Sequence, residues 1–191
     1  MTTAGLVLAA GAGRRFGGPK ALAEIDGQRL VDRAAGLLRS GGCDHVVIVS
    51  GAARFDVDGA AVVHNPHWAS GMGSSLRVGL GAMPAEATAA VVVLVDTPWL
   101  APEAVRRVVA AHAASAGRAD LAVATYGGRR GHPVLLAREH WAAIAVGADG
   151  DAGARSYLAG RTDVVEIDCT GVGDPADVDT PEQLSRGLSR R

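Results

Sequence analysis

The chain has 191 residues, 48% of them hydrophobic and 20% charged, with a net charge of -1 and a pI near 6.6. This length predicts a single domain, 1–191, with one sizeable core. The balanced charge argues against a nucleic-acid partner, and the apolar run Ala4–Ala10 is too short for a membrane anchor. Cys43 and Cys169 lie far apart and outside any metal-ligand spacing, so we expect two reduced thiols in a cytoplasmic protein.

Short apolar runs alternate with helical patterns along the chain. The runs are nearly continuous rather than alternating, which is typical of strands buried on both faces. The predicted strands span residues 5–10, 45–50, 60–64, 90–96, 120–126 and 163–169. The predicted helices span residues 30–39, 73–83, 102–115 and 180–188. This order predicts a three-layer α/β fold with a mainly parallel sheet and a ligand at the carboxyl ends of its strands.

The first predicted strand leads into a glycine-rich loop, "LAAGAGRRFGGPK", residues 8–20. Gly11 and Gly13 allow the backbone amides to approach an anion closely. Two arginines and Lys20 supply positive charge, and Lys20 is the only lysine among 19 basic residues. A compact ammonium suits a crowded position between phosphate oxygens better than a planar guanidinium does. The loop therefore predicts a phosphate site, with a plain surface loop as the alternative.

The same loop also approaches the dinucleotide pattern G-x-G-x-x-G. That pattern requires a helix that opens at the glycines and an acidic residue about 20 positions further on. Here Pro19 interrupts the stretch, the next helix is predicted from Leu30, and the next strand ends at Ser50. Hydride transfer with NAD is therefore weakly supported.

Acidic residues follow the most apolar predicted strand and precede the last helix. Asp96 ends that strand in "VDTPWL", where a carboxylate faces the ligand crevice and can hold Mg²⁺. The segment "DPADVDTPEQL" offers Asp177 or Asp179 as a second ligand. Each acid taken alone also fits a turn or a helix cap, so both interpretations stay open at this point.

Two further segments carry polar groups. In "NPHWASGMGSSLRVGL", Gly71 and Ser74 stand at a predicted helix start, where main-chain and hydroxyl donors could meet a nucleobase or a phosphate. The segment "RRGHPVLL" predicts a tight turn at residues 131–133 before an apolar strand, and "GDAGAR" predicts a polar turn into a helix. His132 fits either a general acid or base or a structural histidine.

These motifs, taken in order, resemble those of the molybdenum cofactor nucleotidyltransferases, above all the cytidylyltransferase group of the MobA-like NTP transferase family. The shared segments are "LAAGAGRRFGGPK", "NPHWASGMGSSL", "VDTPWL", "GHPVLL", "GDAGAR" and "DVDTPEQL". The resemblance implies a Rossmann-like nucleotidyltransferase fold and transfer of CMP from CTP to molybdopterin with release of pyrophosphate. Because the guanylyltransferase branch usually has glycine in place of Ala10, it also favours CTP over GTP.

The resemblance also implies roles for individual residues. Arg15 would hold the phosphates, Lys20 would neutralise charge near the α-phosphate, and Gly71 and Ser74 would lie beside the base. The residues that would line the nucleotide are Leu8, Ala9, Ala10, Gly11 and Gly13.

For the metal, the resemblance implies Mg²⁺ bound by Asp96 and Asp179. Arg15, Lys20 and Asp96 would then form the catalytic group. The implied partners are CTP, molybdopterin, and a molybdoenzyme or its chaperone. The chain departs from the group at Thr97, where Gln or Met is more common, so the acceptor could be another phosphorylated small molecule. Two other functions stay open: a redox enzyme like the nicotine blue oxidoreductases on this scaffold, and nucleotide binding without catalysis.

Overall fold

The computed structural model describes residues 1–114, 119–148 and 150–189. The strands are β1 Thr2–Leu8, β2 Glu24–Ile25, β3 Gln28–Arg29, β4 His45–Ser50, β5 Ala61–His64, β6 Ala87–Leu94, β7 Leu121–Tyr126, β8 Arg129–Ala137 and β9 Val164–Asp168. The helices are α1 Leu30–Ser40, α2 Met72–Gly81, α3 Pro102–Ala114, α4 Arg138–Gly147, α5 Arg155–Leu158 and α6 Pro181–Ser189. Ser115, the predicted end of the third helix, lies outside the described residues.

One seven-stranded sheet organises the molecule, in the order β5-β4-β1-β6-β8-β7-β9. The pairs β4–β5, β1–β4, β1–β6 and β7–β9 are parallel, while β8 is antiparallel to both of its neighbours. Six strands therefore run in one direction, and the predicted mainly parallel sheet is confirmed. The carboxyl ends of β1, β4 and β6 lie side by side, at the edge where open α/β sheets bind ligands.

Each face of the sheet is covered by its own set of helices. One buried cluster joins Val7 and Val91 to α1 and α3, and the other joins Leu6 and Val92 to α2 and α4. Since neighbouring residues of a strand point to opposite faces, both faces must be apolar. This explains the continuous apolar runs and confirms the three-layer arrangement. No helix among the described residues is both long and apolar enough to cross a membrane.

One turn lies at a different position from the one predicted from the sequence. Residues 131–133 were expected to form a tight turn, but they lie inside β8. The reversal instead occurs at Gly127 and Gly128, whose φ angles are 58° and 75°. These two glycines join the paired residues Tyr126 and Arg129 in a two-residue hairpin. Two successive positive φ angles favour glycine, and this is the physical reason for the position of the turn.

Close packing of α1 on β1 leads to a stability prediction. A Cβ atom added at Gly5 would lie 2.7 Å from Cδ1 of Leu38, a leucine with no exposed surface. Leu38→Ala should lower the free energy of unfolding by about 2–5 kcal/mol, because the site cannot collapse fully around the missing atoms. Urea denaturation measures this change. Val146→Ala is the matched control at a residue 88% exposed. Equal urea midpoints for Leu38→Ala and Val146→Ala would contradict this close packing of α1 on β1.

Candidate active site

The loop after β1 folds back tightly on itself. Gly13 has a φ of +59°, and a Cβ atom there would lie 1.9 Å from the carbonyl oxygen of Gly18. The amide of Gly18 donates a hydrogen bond of 3.2 Å to the carbonyl of Gly13. Only glycine fits this position without displacing the backbone. The fold-back carries the chain into a short 3-10 helix at Lys20–Leu22, which fixes the backbone of Lys20 beside the end of β6.

Lys20 is the centre of the site. Its Nζ donates to Oδ2 of Asp96 at 2.9 Å and to Oδ1 of Asp179 at 2.8 Å. Only 14% of the Lys20 side chain is exposed, compared with 23% for Asp96 and 24% for Asp179. Arg15, whose side chain is 77% exposed, pairs with Oδ2 of Asp179 at 3.0 Å. The structure thus brings together the four charged residues predicted from the sequence.

A backbone contact brings Asp179 to this position. The amide of Val178 donates to the carbonyl oxygen of Asp96 at 2.8 Å, which joins the segment before α6 to the end of β6. Next to it, Gln183 Oε1 accepts from the amides of Asp179 and Thr180, and the amide of Gln183 donates to Thr180 Oγ1. This is the reciprocal cap expected at a helix start. Asp179 therefore reaches the Lys20 ammonium that also contacts Asp96, whereas the Asp177 side chain is exposed.

The charges in this cluster stabilise one another. Burial disfavours the charged form of Lys20, but hydrogen bonds and negative charge from Asp179 and Asp96 outweigh it and raise the pKa of Lys20. The hydrogen bond from Lys20, with help from Arg15, lowers the pKa of Asp179 below its ordinary value. At neutral pH the ammonium is therefore charged and the Asp179 carboxylate is ionised.

The two carboxylates also suit a divalent cation. Mg²⁺ prefers oxygen ligands and is often held by one or two carboxylates together with substrate phosphates. Asp96 Oδ1 is buried and has no hydrogen-bond partner in the described part of the chain. A buried acceptor oxygen without a donor is rare and needs an explanation, which a bound cation would supply. The residues present thus fit the predicted metal.

A cleft of about 480 Å³ opens beside this cluster, a volume typical of small-molecule sites. Nine of the predicted site residues line it: Leu8, Ala10, Gly11, Gly13, Arg15, Lys20, Gly71, Asp96 and Asp179. Ala9 is instead buried in the core, and its amide donates to Val49. The Ser74 hydroxyl is 3.0 Å from the carbonyl oxygen of His67 and 2.9 Å from that of Gly71, while the neighbouring Ser75 lines the cleft. The nucleotide contacts of all the residues predicted to make them stay predictions.

One residue that organises the cleft was not singled out from the sequence. Asn65 is 1% exposed, and its Nδ2 donates to Ser74 Oγ at 2.8 Å and to Ser75 Oγ at 3.0 Å. Its Oδ1 accepts from the amide of His67 at 2.9 Å. The amide nitrogen thus joins the end of β5 to the start of α2, and the amide oxygen holds the turn at His67. The sequence does contain a signal that could have identified Asn65, since this polar residue directly follows a predicted strand.

Removing this amide should loosen the wall of the cleft. We expect Asn65→Ala to lower the free energy of unfolding by about 1–3 kcal/mol, since buried groups lose their partners. The KM for the predicted nucleotide should rise, because Ser74 and Ser75 lose their hydrogen bonds from Asn65. Steady-state kinetics and urea denaturation measure the two effects. The control is Ser70→Ala, which removes one exposed hydrogen bond of the same loop. Nucleotide KM values that match in the two variants would contradict the role given to Asn65.

Gly71 closes the cleft on another side. Its φ is +113°, and a Cβ atom there would lie 2.4 Å from the carbonyl carbon of Gly150. The start of α2 therefore touches the turn that contains Asp151, and Asp151 lines the cleft as well. That turn leads into α5, so the polar turn predicted at "GDAGAR" is confirmed.

A second cleft, of about 390 Å³, adjoins the first and shares residues Leu8, Met72, Leu94 and Asp151 with it. Its wall is mainly aliphatic, and its ionisable side chains are those of Arg130, His132, Asp151 and Arg155. Nδ1 of His132 lies 3.1 Å from the carbonyl oxygen of Val92 and must donate to it, since a carbonyl only accepts. Burial lowers the pKa of His132, so the imidazole is neutral at neutral pH.

A separate group of side chains that could ligate a metal lies at the other end of the strands from the cleft. Its members are Asp120, Glu139 and His140. Asp120 precedes β7, and the other two open α4 directly after β8. Nδ1 of His140 is 2.9 Å from the hydroxyl of Tyr157. This group is remote from Asp96 and Asp179 and does not correspond to the predicted magnesium site.

Known proteins resemble this chain over nearly its whole length. Nicotine blue oxidoreductase from Paenarthrobacter nicotinovorans is 40% identical over 199 residues, covering 96% of this chain and 95% of that protein. The manganese complex of Rv0371c from Mycobacterium tuberculosis H37Rv superposes with a TM-score of 0.82 at 27% identity, covering 100% of both chains. The inositol-1-phosphate CTP transferase from T. maritima shares the fold, with a TM-score of 0.77 at 16% identity over 99% of this chain and 94% of that one. The model of the MobA-like NTP transferase domain matches residues 5–165, and the chain therefore belongs to this nucleotidyltransferase family.

Proposed function

We propose that this protein transfers CMP from CTP to a phosphorylated acceptor, molybdopterin, in the cytoplasm and releases pyrophosphate. One observation supports this proposal above the others. Lys20 hydrogen-bonds to Asp96 and to Asp179 beside the glycine loop, in a cleft of about 480 Å³. The loop amides and Arg15 would face the phosphates, and the wall that contains Gly71 would face the base. A molybdoenzyme or its chaperone would receive the product.

The chemistry needs charge neutralisation and positioning more than a covalent nucleophile. A phosphate oxygen of the acceptor attacks the α-phosphorus of CTP, the bond from this phosphorus to the bridging oxygen of the β-phosphate breaks, and pyrophosphate leaves with that oxygen. No base is required, because the acceptor phosphate is already ionised. Lys20 would stabilise the charge that develops on the α-phosphate, and Arg15 would hold the leaving pyrophosphate. Mg²⁺ held by Asp96 and Asp179 would supply additional charge neutralisation.

We assign the acceptor to the second cleft. Its shared wall with the first cleft, at Leu8 and Leu94, would place an acceptor phosphate next to the nucleotide. The mainly aliphatic lining suits a flat heterocyclic body, and Arg155 suits an anionic group. Arg130 already pairs with Glu166 at 2.8 Å, so an anion would have to compete with that carboxylate. Because a neutral His132 donates its Nδ1 proton to Val92, its Nε2 would accept a hydrogen bond there without adding charge.

A second candidate function is reduction of an aromatic dye, favoured by the 40% identity to nicotine blue oxidoreductase. Features of the fold argue against a nicotinamide site of the usual dinucleotide type. The loop after β1 leads into the 3-10 helix at Lys20–Leu22, and α1 begins only at Leu30. β4 ends at Ser50, where that type of site has an acidic residue.

One experiment distinguishes the two candidates. Pyrophosphate release is measured with Mg²⁺ and each of the four nucleoside triphosphates, with and without molybdopterin. Oxidation of NADH and NADPH is followed in parallel with nicotine blue as the acceptor. We expect pyrophosphate release that requires both a nucleotide and molybdopterin. Oxidation of a nicotinamide without any pyrophosphate release would replace our proposal with the redox function.

The identity of the base leads to a separate prediction. Ala10 is 6% exposed, lines the cleft, and its carbonyl accepts from the amide of Ala52 at 2.9 Å. Because the guanylyltransferase branch usually has glycine at this position, we expect a far higher kcat/KM with CTP than with GTP. Ala10→Gly should narrow the difference. Equal kcat/KM values for CTP and GTP in the unmodified protein would show that this residue does not select the base.

A further inference from the structure

Lys20 occupies the place that a shared metal ion would need. One nitrogen, Nζ, contacts a carboxylate oxygen of Asp96 at 2.9 Å and one of Asp179 at 2.8 Å. These are the two carboxylates that the proposed function assigns to Mg²⁺. An ammonium and a divalent cation repel each other, and the ammonium uses oxygens that the metal would use. The two cations therefore compete for one pair of ligands.

The lysine is only a partial substitute for a metal ion. It contacts Oδ2 of Asp96 but leaves Oδ1 buried and without a hydrogen bond from the described residues. The ammonium has three N–H donors but a single positive charge. It therefore cannot neutralise two carboxylates as fully as the double charge of a divalent cation can. A metal ion would therefore bind these carboxylates well once the ammonium had moved.

The side chain of Lys20 can move without any change in the backbone. The 3-10 helix is held by bonds from the amide of Leu22 to the carbonyl of Pro19 and from the amide of Ala23 to the carbonyl of Lys20. The four-carbon side chain is flexible, and both it and the phosphate-binding loop line the same cleft. A triphosphate in the cleft would offer the ammonium new anionic partners in exchange for the two carboxylates.

We propose that Lys20 blocks the metal site until a nucleotide arrives, and that the triphosphate draws the ammonium off the carboxylates as Mg²⁺ enters. This regulation rests on the proposed function, since it takes a nucleotide as the ligand. Nucleotide and metal must then strengthen each other's binding by the same factor, because coupling between two sites is reciprocal. The arrangement would keep the site from holding a metal ion that has no substrate to act on.

Mn²⁺ binding tests this competition without reference to turnover. Free Mn²⁺ is titrated by electron paramagnetic resonance against the full chain and against Lys20→Met. Without nucleotide, we expect Lys20→Met to bind Mn²⁺ roughly 5–150-fold more tightly than the unmodified protein, the usual range of such couplings. The matched control is Arg14→Met, which removes a cation that lines the same cleft. It should leave the Kd for Mn²⁺ nearly unchanged.

The non-hydrolysable analogue α,β-methylene-CTP completes the titration. It should tighten Mn²⁺ binding more in the unmodified protein than in Lys20→Met, where no ammonium has to be displaced. Equal or weaker Mn²⁺ binding by Lys20→Met without the analogue would overturn the blocking role and leave the metal site intact. Failure of both proteins to bind Mn²⁺, even with the analogue, would instead contradict the metal site in the proposed function.

A measurement on the unmodified protein covers the case in which Lys20→Met does not fold. Because Lys20 is the only lysine, labelling with ¹³C,¹⁵N-lysine gives nuclear magnetic resonance signals from this one side chain. We expect its Nζ and Cε signals to shift when Mg²⁺ and α,β-methylene-CTP are added together. Signals that stay in place at saturating concentrations of both would overturn the proposal.

Discussion

Replacing Asp96 with asparagine should reduce kcat for nucleotidyl transfer by about 10²–10³-fold or more, the usual cost of losing one group that stabilises transition-state charge. Asparagine keeps the shape of the side chain but removes the charge that faces Lys20 and the proposed metal. Lys20 retains Asp179 as a partner, so the free energy of unfolding should change by only about 1 kcal/mol. Single-turnover kinetics and thermal melting separate the two effects.

Asp179→Asn should behave in the same way, because both carboxylates serve one ion. The double variant should be little worse than either single variant, since residues that act as a unit show non-additive losses. A higher Mg²⁺ concentration should partly restore the activity of a variant that has lost only metal affinity. Asp177→Asn is the matched control, an exposed acid two positions from Asp179. Additive losses, or full activity in EDTA, would contradict a shared metal.

Lys20→Ala is the second change with a large expected effect. It should abolish transfer, because the sequence has no other lysine and the more exposed Arg15 pairs with Asp179 rather than with Asp96 in the described part of the chain. Even Lys20→Arg should lose most of the activity. The Lys20 side chain is 14% exposed and fits between two carboxylates, where a planar guanidinium needs a wider gap.

Turnover is compared at saturating CTP and Mg²⁺ for both Lys20 variants and for Arg54→Gln, which removes an exposed cation that does not line the cleft. We expect Arg54→Gln to retain most of its kcat. The fold should survive in all three variants, which circular dichroism checks. Near-normal kcat in Lys20→Arg would show that charge alone, and not the compact ammonium, is what the site needs.

The main strands, and the clustering of the charged residues at the end of a central strand, could be predicted from the sequence for physical reasons. Val91 and Val92 pack on opposite faces of β6, so helices on both sides require an unbroken apolar run. Asp96 follows that run, and the carboxyl end of a central parallel strand is where ligands bind. Gly13 indicated a tight loop in the sequence. In the structure the carbonyl of Gly18 lies so close to Gly13 that only glycine fits there.

Other features depend on contacts that no local pattern contains. α4 begins directly after β8 with Ala137 before it and has no side-chain cap, so the usual start signal is absent. The direction of β8 is set by its pairing with β6 and β7. The contacts of Lys20 span 76 and 159 positions of the chain. The position of Asp179, rather than Asp177, beside Lys20 follows from the hydrogen bond between Val178 and Asp96, which is also a long-range contact.

The fate of the α-phosphate tests the central claim most directly. The protein is incubated with CTP labelled with ³²P at the α-position, Mg²⁺ and molybdopterin, and the products are separated by chromatography. We predict that the label moves to a molybdopterin product, with one pyrophosphate released for each label transferred, and that Asp96→Asn transfers almost none. Label that stays in CTP under these conditions, while the same protein oxidises NADH or NADPH with nicotine blue, would contradict nucleotidyl transfer at this site.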